Sequence, residues 1–228
     1  MPANIYLRYV LDLWFEKRYV RTCKGRAYRV RYADDYVACF ANEVDARRFM
    51  DAMAERLAEF GLEVEPGKTC LLRFGNRAAA DCRKDSLKRP PTFNFPGFTH
   101  YAGKSRKGCC VLGRKSRRER VAKKLKEMGD RLSALRIEGG QAMMDYAKRH
   151  LQGHVGYYAV SGNARQVRTY AYRISRLLFK WLNRRSQRRG VTWDRISKVL
   201  SGWMPSLRIR HNLYPKPLWM TQTGSRMV

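Results

Sequence analysis

Two adjacent carboxylates, Asp34 and Asp35, are the side chains of this sequence whose type and spacing point most directly to chemistry. Residues 28–32 alternate apolar and aromatic side chains with arginines, the period of a half-buried strand, and residues 36–40 form an apolar run typical of a more buried strand. Aspartate is unfavourable in strands and favourable in tight turns, so we expect both acids at the tip of a hairpin. There their oxygens are open to hard cations such as Mg²⁺ on a stiff support, which suits chemistry on phosphates.

An ordinary polar turn with two solvated acids is the alternative interpretation, since short motifs match by chance. Two features favour a metal site over this alternative. The acids are followed at once by the apolar run, and the chain around them is strongly basic. Carboxylates on a protein that binds nucleic acid would repel its phosphates unless metal ions lie between them. We therefore expect the pair to bind Mg²⁺.

The charge balance predicts a polyanionic partner. The chain has 48 lysines and arginines against 19 acids, a net charge of +29 on 228 residues. Residues 1–102 hold 18 basic and 13 acidic side chains, whereas residues 103–228 hold 30 and 6. A half-chain this basic favours nucleic acid, with an affinity that falls steeply with salt. A generic solvated face and an anionic membrane surface are the alternatives; the second is disfavoured because no run of about 18 apolar residues and no signal-peptide pattern occurs.

Composition otherwise predicts a folded cytoplasmic protein of one or two domains. Hydrophobic residues make up 44% of the chain, enough for a sizeable core. The six cysteines show no Cys-x-x-Cys spacing, so we expect free thiols in a reducing compartment and no zinc site. Cys39 is predicted to lie in a buried strand.

The first half of the chain predicts mixed helices and strands. The helical pattern has a 3.6-residue period, and the strands are marked by β-branched and aromatic runs between turn residues. The predicted elements are a helix over 4–18, the strand pair, an amphipathic helix capped by Asn42 and ended by Gly61, a short strand over 70–74, a polar surface segment over 75–92 and an extended segment with a final turn over 93–98.

The second half predicts a helical bundle. Ser116 and Glu119 have the spacing of a capping box at the start of a helix whose apolar stripe runs from Val121 to Leu135. Further helices are predicted over 141–160, 163–183 and 193–200. Tyr157, Tyr158, Tyr172 and Trp181 are candidates for base stacking if exposed. Cations on the faces opposite the stripes are candidates for phosphate contacts: Arg165, Arg168, Arg173, Arg176, Lys180, Arg184, Arg185, Arg188 and Arg189.

Two further pairs have simpler explanations than a metal site. His150 and His154 have helical spacing, but residue 151 is not the glutamate of the metalloprotease motif and a glycine interrupts the turn, so core packing or an RNA contact is preferred. Asp12 and Glu16 share a helical face, and we expect ordinary ion pairs with Arg8 and Lys17.

Taken together, these blocks resemble the C-terminal half of bacterial group II intron reverse transcriptases, which also act as maturases. Tyr32-Ala33-Asp34-Asp35 is similar to the polymerase signature of the palm. Asn4 to Leu7 is similar to the palm helix that precedes the signature. Gly61-Leu62 with Pro66 to Thr69 is similar to the block after the signature helix. Phe95 to Tyr101 is similar to the primer grip, with Pro96 in place of an expected leucine. The thumb or maturase region is resembled by Gly153-His154, Tyr157-Tyr158, Gly162-Asn163, Trp181, Arg184 to Gln187, Trp193 and Pro205 to His211.

The resemblance covers about residues 3–215 and implies an α+β fold. A partial polymerase palm, an antiparallel sheet with packed helices, would occupy 1–102, and an all-α basic helical thumb or maturase bundle would occupy 103–228. The implied activity is that of an RNA-directed DNA polymerase, a nucleotidyltransferase of a mobile element. It would act on a DNA primer with dNTPs along an RNA template. Asp34 and Asp35 would hold two Mg²⁺ ions, Asp34 most directly, while Lys68 would face phosphates and Gly97 would belong to the primer grip.

One departure from the family separates the possible functions. In the family, the fingers and the first metal-binding aspartate precede the point at which this sequence begins, so we expect the chain alone to be catalytically inactive. It would then be half of a split enzyme that works with a separate N-terminal half, or a degenerate remnant. The alternative function is a non-catalytic, maturase-like protein that binds intron RNA and assists splicing.

Overall fold

The computed structural model describes residues 2–75, 78–84, 86, 89–105, 108–184 and 190–214. These residues form a mixed α+β structure with two antiparallel sheets, as the sequence predicts at that level. The chain divides into two compact units. The N-terminal unit comprises Met1–Pro96 and His100–Leu112, and the C-terminal unit comprises Gly97–Thr99 and Gly113–Val228.

The N-terminal unit begins with a continuous helical segment over residues 2–22. It is α-helical over Pro2–Leu7 (α1) and Val20–Thr22 (α2), and π-helical over Arg8–Leu13 and Phe15–Tyr19. The predicted helix is confirmed, but its 3.6-residue period is not, because a π-turn closes i→i+5 hydrogen bonds. The segment buries its apolar residues against the next helix in a core formed by Val10, Leu11, Phe15, Tyr19, Phe49, Met53 and Leu57.

The predicted hairpin follows this segment. Strand β1 (Ala27–Tyr32) pairs antiparallel with β2 (Asp35–Phe40), so that Tyr32 lies opposite Asp35 across a two-residue loop. The acids therefore stand at the hairpin tip, as predicted. The expectation of a more buried second strand is wrong at Cys39, which is exposed. A hairpin packed on one side has a second, open face, and Asp35 and Cys39 of β2 are exposed on it.

The direction in which β1 faces is the most consequential feature of the hairpin. Its tyrosines and valine point outwards, with 65% of Tyr28, 60% of Val30 and 61% of Tyr32 exposed. Arg29 and Arg31 point towards the helical segment and are largely covered. The alternation therefore identified a strand correctly, but its charged face is the covered one.

A second helix completes the core of this unit. Helix α3 (Glu43–Ala58) has Asn42 at its N-cap position and is followed by Gly61 at φ +66°, as predicted. The predicted side-chain cap is wrong, because Asn42 forms no capping hydrogen bond and its side-chain N–H donates to the Asp45 carboxylate at 3.4 Å. The predicted strand over 70–74 is wrong, because those residues are irregular and pair with no strand among the described residues. The segment predicted as a polar surface excursion instead contains helix α4 (Ala78–Lys84), which buries Ala78 and Cys82.

The second sheet has the order β3-β4-β5, formed by Thr92–Phe95, Phe98–Lys104 and Cys110–Ser116. Pro96 and Gly97 form the turn between its first two strands, with Gly97 at φ +83°. The predicted turn is confirmed and Pro96 is compatible with it, since proline and then glycine suit the two central positions of a type II turn. Strand β5 was not predicted, so residues 103–228 are not entirely helical.

The C-terminal unit is built from helices α5 (Arg118–Ala134), α6 (Gly140–Tyr158), α7 (Ala164–Asn183) and α8 (Trp193–Trp203). The predicted helices correspond to these within a few residues. Their apolar stripes meet in one core that includes Met128, Leu132, Met143, Leu151, Tyr170, Ile174 and Leu178. The predicted bundle core is confirmed.

The predicted capping box at Ser116 is wrong, because Ser116 hydrogen-bonds Asn163 and does not cap the helix that follows. Ser116 ends β5, Arg117 occupies the N-cap of α5, and no side chain caps that helix. The fully buried Asn163 accepts the Ser116 N–H and donates to the Ser116 Oγ and to the Tyr158 carbonyl, each at 2.9 Å. This amide joins the end of β5 to the turn between α6 and α7.

Replacing Asn163 with alanine is expected to lower the free energy of unfolding of the C-terminal unit by about 2–4 kcal/mol, because buried donors and acceptors lose their partners. Urea denaturation followed by tryptophan fluorescence measures the change. Asn212→Ala is the matched control, since Asn212 is exposed and accepts one local N–H. Equal stability of the two variants would contradict the assigned role of Asn163.

Candidate functional site

The turn that carries the two acids is short and strained. Ala33 adopts φ +51°, a left-handed conformation that costs a residue with a Cβ about 1–2 kcal/mol. Asp34 is the second loop residue and Asp35 the first of β2, and both are exposed. A two-residue loop between paired strands restricts its side chains to few positions. The turn thus holds two carboxylates in solvent on a rigid support.

A buried ion pair anchors the hairpin to the helical segment. Asp12 is only 5% exposed and accepts hydrogen bonds from Arg31 at 2.8 and 3.0 Å and from Arg29. The expected partners of Asp12, Arg8 and Lys17, are therefore wrong. Glu16 does lie 4.0 Å from Arg8, but it also lies 3.6 Å from Arg29.

The electrostatics of this pair follow from its surroundings. Burial by itself raises the pKa of Asp12, but the hydrogen bonds and positive charges of Arg31 and Arg29 outweigh burial and hold that pKa below its ordinary value. The hydrogen bond to Asp12 raises the pKa of Arg31, and the charge of Asp34 adds to the effect. Asp12 therefore stays ionised and Arg31 stays charged.

The chemistry of the turn fits Mg²⁺ better than a metal held by protein ligands alone. Mg²⁺ is commonly bound by one or two carboxylates, with water and substrate phosphates as the remaining ligands. Two exposed aspartates at a stiff turn offer that donor set. Among the described residues, no group of three or more histidine, cysteine or acidic side chains is placed to share a metal ion.

The two other predicted contacts of the first half lie in different environments. Lys68 is exposed in a turn, and its neighbour Thr69 lies near enough to Tyr36, the residue after Asp35, to oppose the rise that burial causes in the pKa of that tyrosine. This proximity places the Lys68 turn beside β2. Gly97 is buried, and a Cβ there would approach the ring of Tyr157 and the hydroxyl of Tyr158 to 3.2 Å. Close packing with these tyrosines therefore explains the glycine.

The basic face predicted for α7 is exposed wherever the structure describes it. Helical spacings of three and four residues align its cations along one side of α7. Arg176 lies 4.7 Å from the ring centre of Trp193, and Arg184 lies 5.5 Å from that of Trp181, so part of this face combines positive charge with aromatic surface. The exposed members are Arg165, Arg168, Arg173, Arg176, Lys180 and Arg184, while Arg185, Arg188 and Arg189 lie outside the described residues.

His154 and the aromatic candidates are divided between core and surface. His154 is buried, with its ring stacked 3.8 Å from Tyr170 and 4.5 Å from Tyr158, and burial lowers its pKa to about 3. His154 therefore packs in the core as a neutral ring, in line with the preferred interpretation. Tyr157 and Tyr172 are exposed and able to stack bases, whereas Tyr158 is buried and Trp181 is half-buried.

Asp12 is the functional-site residue that sequence reasoning assigned wrongly. The signal was present: a strand with two alternating arginines followed a helix that contained an acid. The prediction paired Asp12 with cations of its own helix, whereas in the structure its partners are the arginines of β1.

No model of a known protein family matches this chain, and no curated protein matches it. In the described part of the chain, no helix is long and apolar enough to cross a membrane.

The N-terminal unit is expected to lose stability in acid through Asp12. Because the folded-state pKa of Asp12 is depressed, its contribution is complete above the ordinary value of 3.8 and is lost as the pH falls through the lower folded value. Urea midpoints read from the NMR indole signal of Trp14, which packs against the core of this unit, measure this loss when compared at neutral pH and below pH 3.8. Asp12→Asn should be less stable at neutral pH and less sensitive to acid than the wild type. Asp51→Asn, a change at an exposed aspartate, should keep the wild-type profile; an unchanged profile in Asp12→Asn would refute the assignment.

Proposed function

We propose that this chain is the palm and thumb part of an RNA-directed DNA polymerase of the group II intron reverse transcriptase and maturase kind. The observation that carries the proposal is the exposed Asp34-Asp35 turn, which lies within a Tyr-Ala-Asp-Asp signature and is anchored by a buried ion pair. A polymerase needs carboxylates held rigidly in solvent, where a primer end and a nucleotide meet them.

The chemistry proposed for the turn is nucleotidyl transfer to a primer 3′-hydroxyl. Bound Mg²⁺ would lower the pKa of that hydroxyl and neutralise charge on the nucleotide phosphates. Asp34, in the loop itself, is the more direct ligand, and Asp35 supports it from the first position of β2. Lys68, exposed beside β2, is proposed to face phosphates.

The basic face of α7 is proposed to hold the nucleic acid. Its cations are exposed, and the sequence from residue 103 onwards carries a net charge of +24, from 30 basic and 6 acidic side chains. Phosphate contacts from arginine and lysine supply affinity without sequence preference, while Tyr157 and Tyr172, which are exposed, are proposed to stack unpaired bases. An RNA template with a DNA primer, or intron RNA, is the proposed partner.

A separate N-terminal reverse transcriptase half is the proposed protein partner. The outer face of the hairpin supports this, because Tyr28, Val30 and Tyr32 form a contiguous exposed apolar strip. Each strand of this two-stranded sheet also has one edge that is unpaired among the described residues. Apolar strips and open edges of this kind favour packing by another polypeptide.

A non-catalytic, maturase-like RNA-binding protein is the second candidate function. The basic face of α7 favours it, since those cations belong to the C-terminal unit and would bind RNA whether or not the acid turn is catalytic. Under this alternative, removing Asp34 would leave the function unchanged.

Primer extension on an RNA template with Mg²⁺ and dNTPs tests the catalytic proposal. The chain is assayed alone and mixed with the N-terminal half of a family member, and extension is expected only in the mixture. Asp34→Ala should reduce the rate at least about 100-fold, the scale on which loss of transition-state charge stabilisation acts. Asp51→Ala, which removes an exposed acid of α3, should retain activity.

Two outcomes would contradict this proposal. Extension that persists in Asp34→Ala would show that the Asp34-Asp35 turn takes no part in catalysis. Absence of extension in every mixture, together with tight and salt-sensitive RNA binding by the chain alone, would favour the RNA-binding alternative.

Binding to RNA as a function of salt tests the proposed role of α7. The triple variant Arg173→Gln, Arg176→Gln, Lys180→Gln should bind more weakly. The plot of log affinity against log salt should also become shallower, with the magnitude of its negative slope smaller by about 2, as phosphate contacts are lost. The control removes three exposed cations of the N-terminal unit through Lys17→Gln, Arg18→Gln and Arg21→Gln. Equal effects of the two triple variants would show that net charge alone, and not this face, governs binding.

A further inference from the structure

Arg31 contacts both the buried carboxylate of Asp12 and the turn that carries Asp34 and Asp35. No other described residue forms this set of contacts. Its Nε and Nη2 donate to Asp12 at 3.0 and 2.8 Å. Its Nη1 donates to the Asn4 side chain at 2.9 Å and to the Ala33 carbonyl at 2.8 Å. One planar guanidinium thus joins α1, the π-helical segment and the loop of the hairpin.

The bond to Ala33 acts on the residue that follows it. The carbonyl of Ala33 and the N–H of Asp34 belong to one planar peptide unit, so a donor that fixes this oxygen also fixes the plane to which the Asp34 Cα is attached. This plane needs fixing, because Ala33 lies at φ +51° in an exposed loop that would otherwise open locally.

The guanidinium is itself held in one orientation. Asp12, 5% exposed, accepts from two of its nitrogens, and the rigid fork geometry of arginine then determines where the third nitrogen points. Asp12 also pairs with the positive charge of Arg31. At the turn, Arg31 donates to the Ala33 carbonyl, and it lies close enough to Asp34 for the charge of that residue to act on it.

We infer that Arg31 is a positioning residue, whose guanidinium fixes the Ala33-Asp34 peptide so that the Asp34 carboxylate is already placed for a divalent cation. The metal part of this inference rests on the proposed function. The fixing of the turn does not, because it follows from the contacts of Arg31 alone.

The test compares Arg31→Lys with Arg56→Lys in the full chain. Lysine keeps the charge but has one nitrogen on a flexible stem, so it cannot bond Asp12 and the Ala33 carbonyl in the same fixed geometry. Arg56 is the matched control, since it is partly buried in the same unit and bonds a backbone carbonyl, that of Val10, and a carboxylate, that of Glu59. Melting curves show the effect of each change on the fold.

Two NMR readouts separate positioning from stability. The ¹H–¹⁵N heteronuclear NOE of Asp34 reports order in the turn, and the broadening of its amide signal by Mn²⁺ reports cation binding. Arg31→Lys is expected to lower the NOE at Asp34 and to weaken Mn²⁺ binding by about tenfold or more, as is usual when a residue behind a metal ligand is changed. Arg56→Lys should leave both readouts at their wild-type values.

The outcomes distinguish this inference from the proposed function. An unchanged NOE at Asp34 in Arg31→Lys would overturn the inference, even if Mn²⁺ still binds the wild type. A lowered NOE with weakened Mn²⁺ binding would support both. If Arg31→Lys lowers the NOE but Mn²⁺ has no effect on Asp34 in the wild type, the fixing of the turn would be supported and the metal site overturned. Equal changes in Arg31→Lys and Arg56→Lys would reduce Arg31 to an ordinary structural residue.

Discussion

The ion pair of Asp12 with Arg29 and Arg31 anchors one face of the hairpin to the helical segment, and the placement of the two acids depends on that anchor. A buried carboxylate is tolerated only with full hydrogen bonding and opposite charge, and losing a partner of such a pair typically costs about 3–5 kcal/mol. Both arginines of β1 therefore face the helical segment. Because strand side chains alternate, Tyr28, Val30 and Tyr32 must then face outwards, and the turn with Asp34 lies at the end of the anchored strand.

The C-terminal unit follows a different principle, in which apolar packing and charge are separated. The bundle buries aliphatic and aromatic side chains on the inner faces of its helices and places the cations of α7 on the outer face. Among the polar groups of its interior, Asn163 is hydrogen-bonded on both its oxygen and its nitrogen, and His154 packs as a neutral ring. A surface so basic is stable on a folded protein because its charges remain solvated, and it stays available to phosphates.

The sequence predicted those features that depend on local patterns. The hairpin with its acids at the tip, the amphipathic helix ended by Gly61 and the helices of the bundle follow from periodicity and turn residues. What failed depends on partners distant in sequence. Ser116 fits a capping box, but Asn163 binds it, 47 residues away. Periodicity identified β1, but which of its faces is covered depends on Asp12 and on the packing of Tyr36, Ala38 and Phe40 of β2 against the same core. Neither the π-helical winding nor β5 has a signature in single-residue propensities. The two acids were located correctly because turn residues are recognised from the local sequence.

Metal-directed cleavage at the acid turn tests the central proposal most directly. Fe²⁺ replaces Mg²⁺ at oxygen-rich sites and, with ascorbate and peroxide, cuts the backbone beside its ligands. Mass spectrometry of the purified chain should then find cuts close to Asp34 and Asp35 that excess Mg²⁺ suppresses and that Asp34→Asn abolishes. Cuts that avoid this turn, or that persist in Asp34→Asn, would show that the turn is a polar loop of two solvated acids and not a metal site.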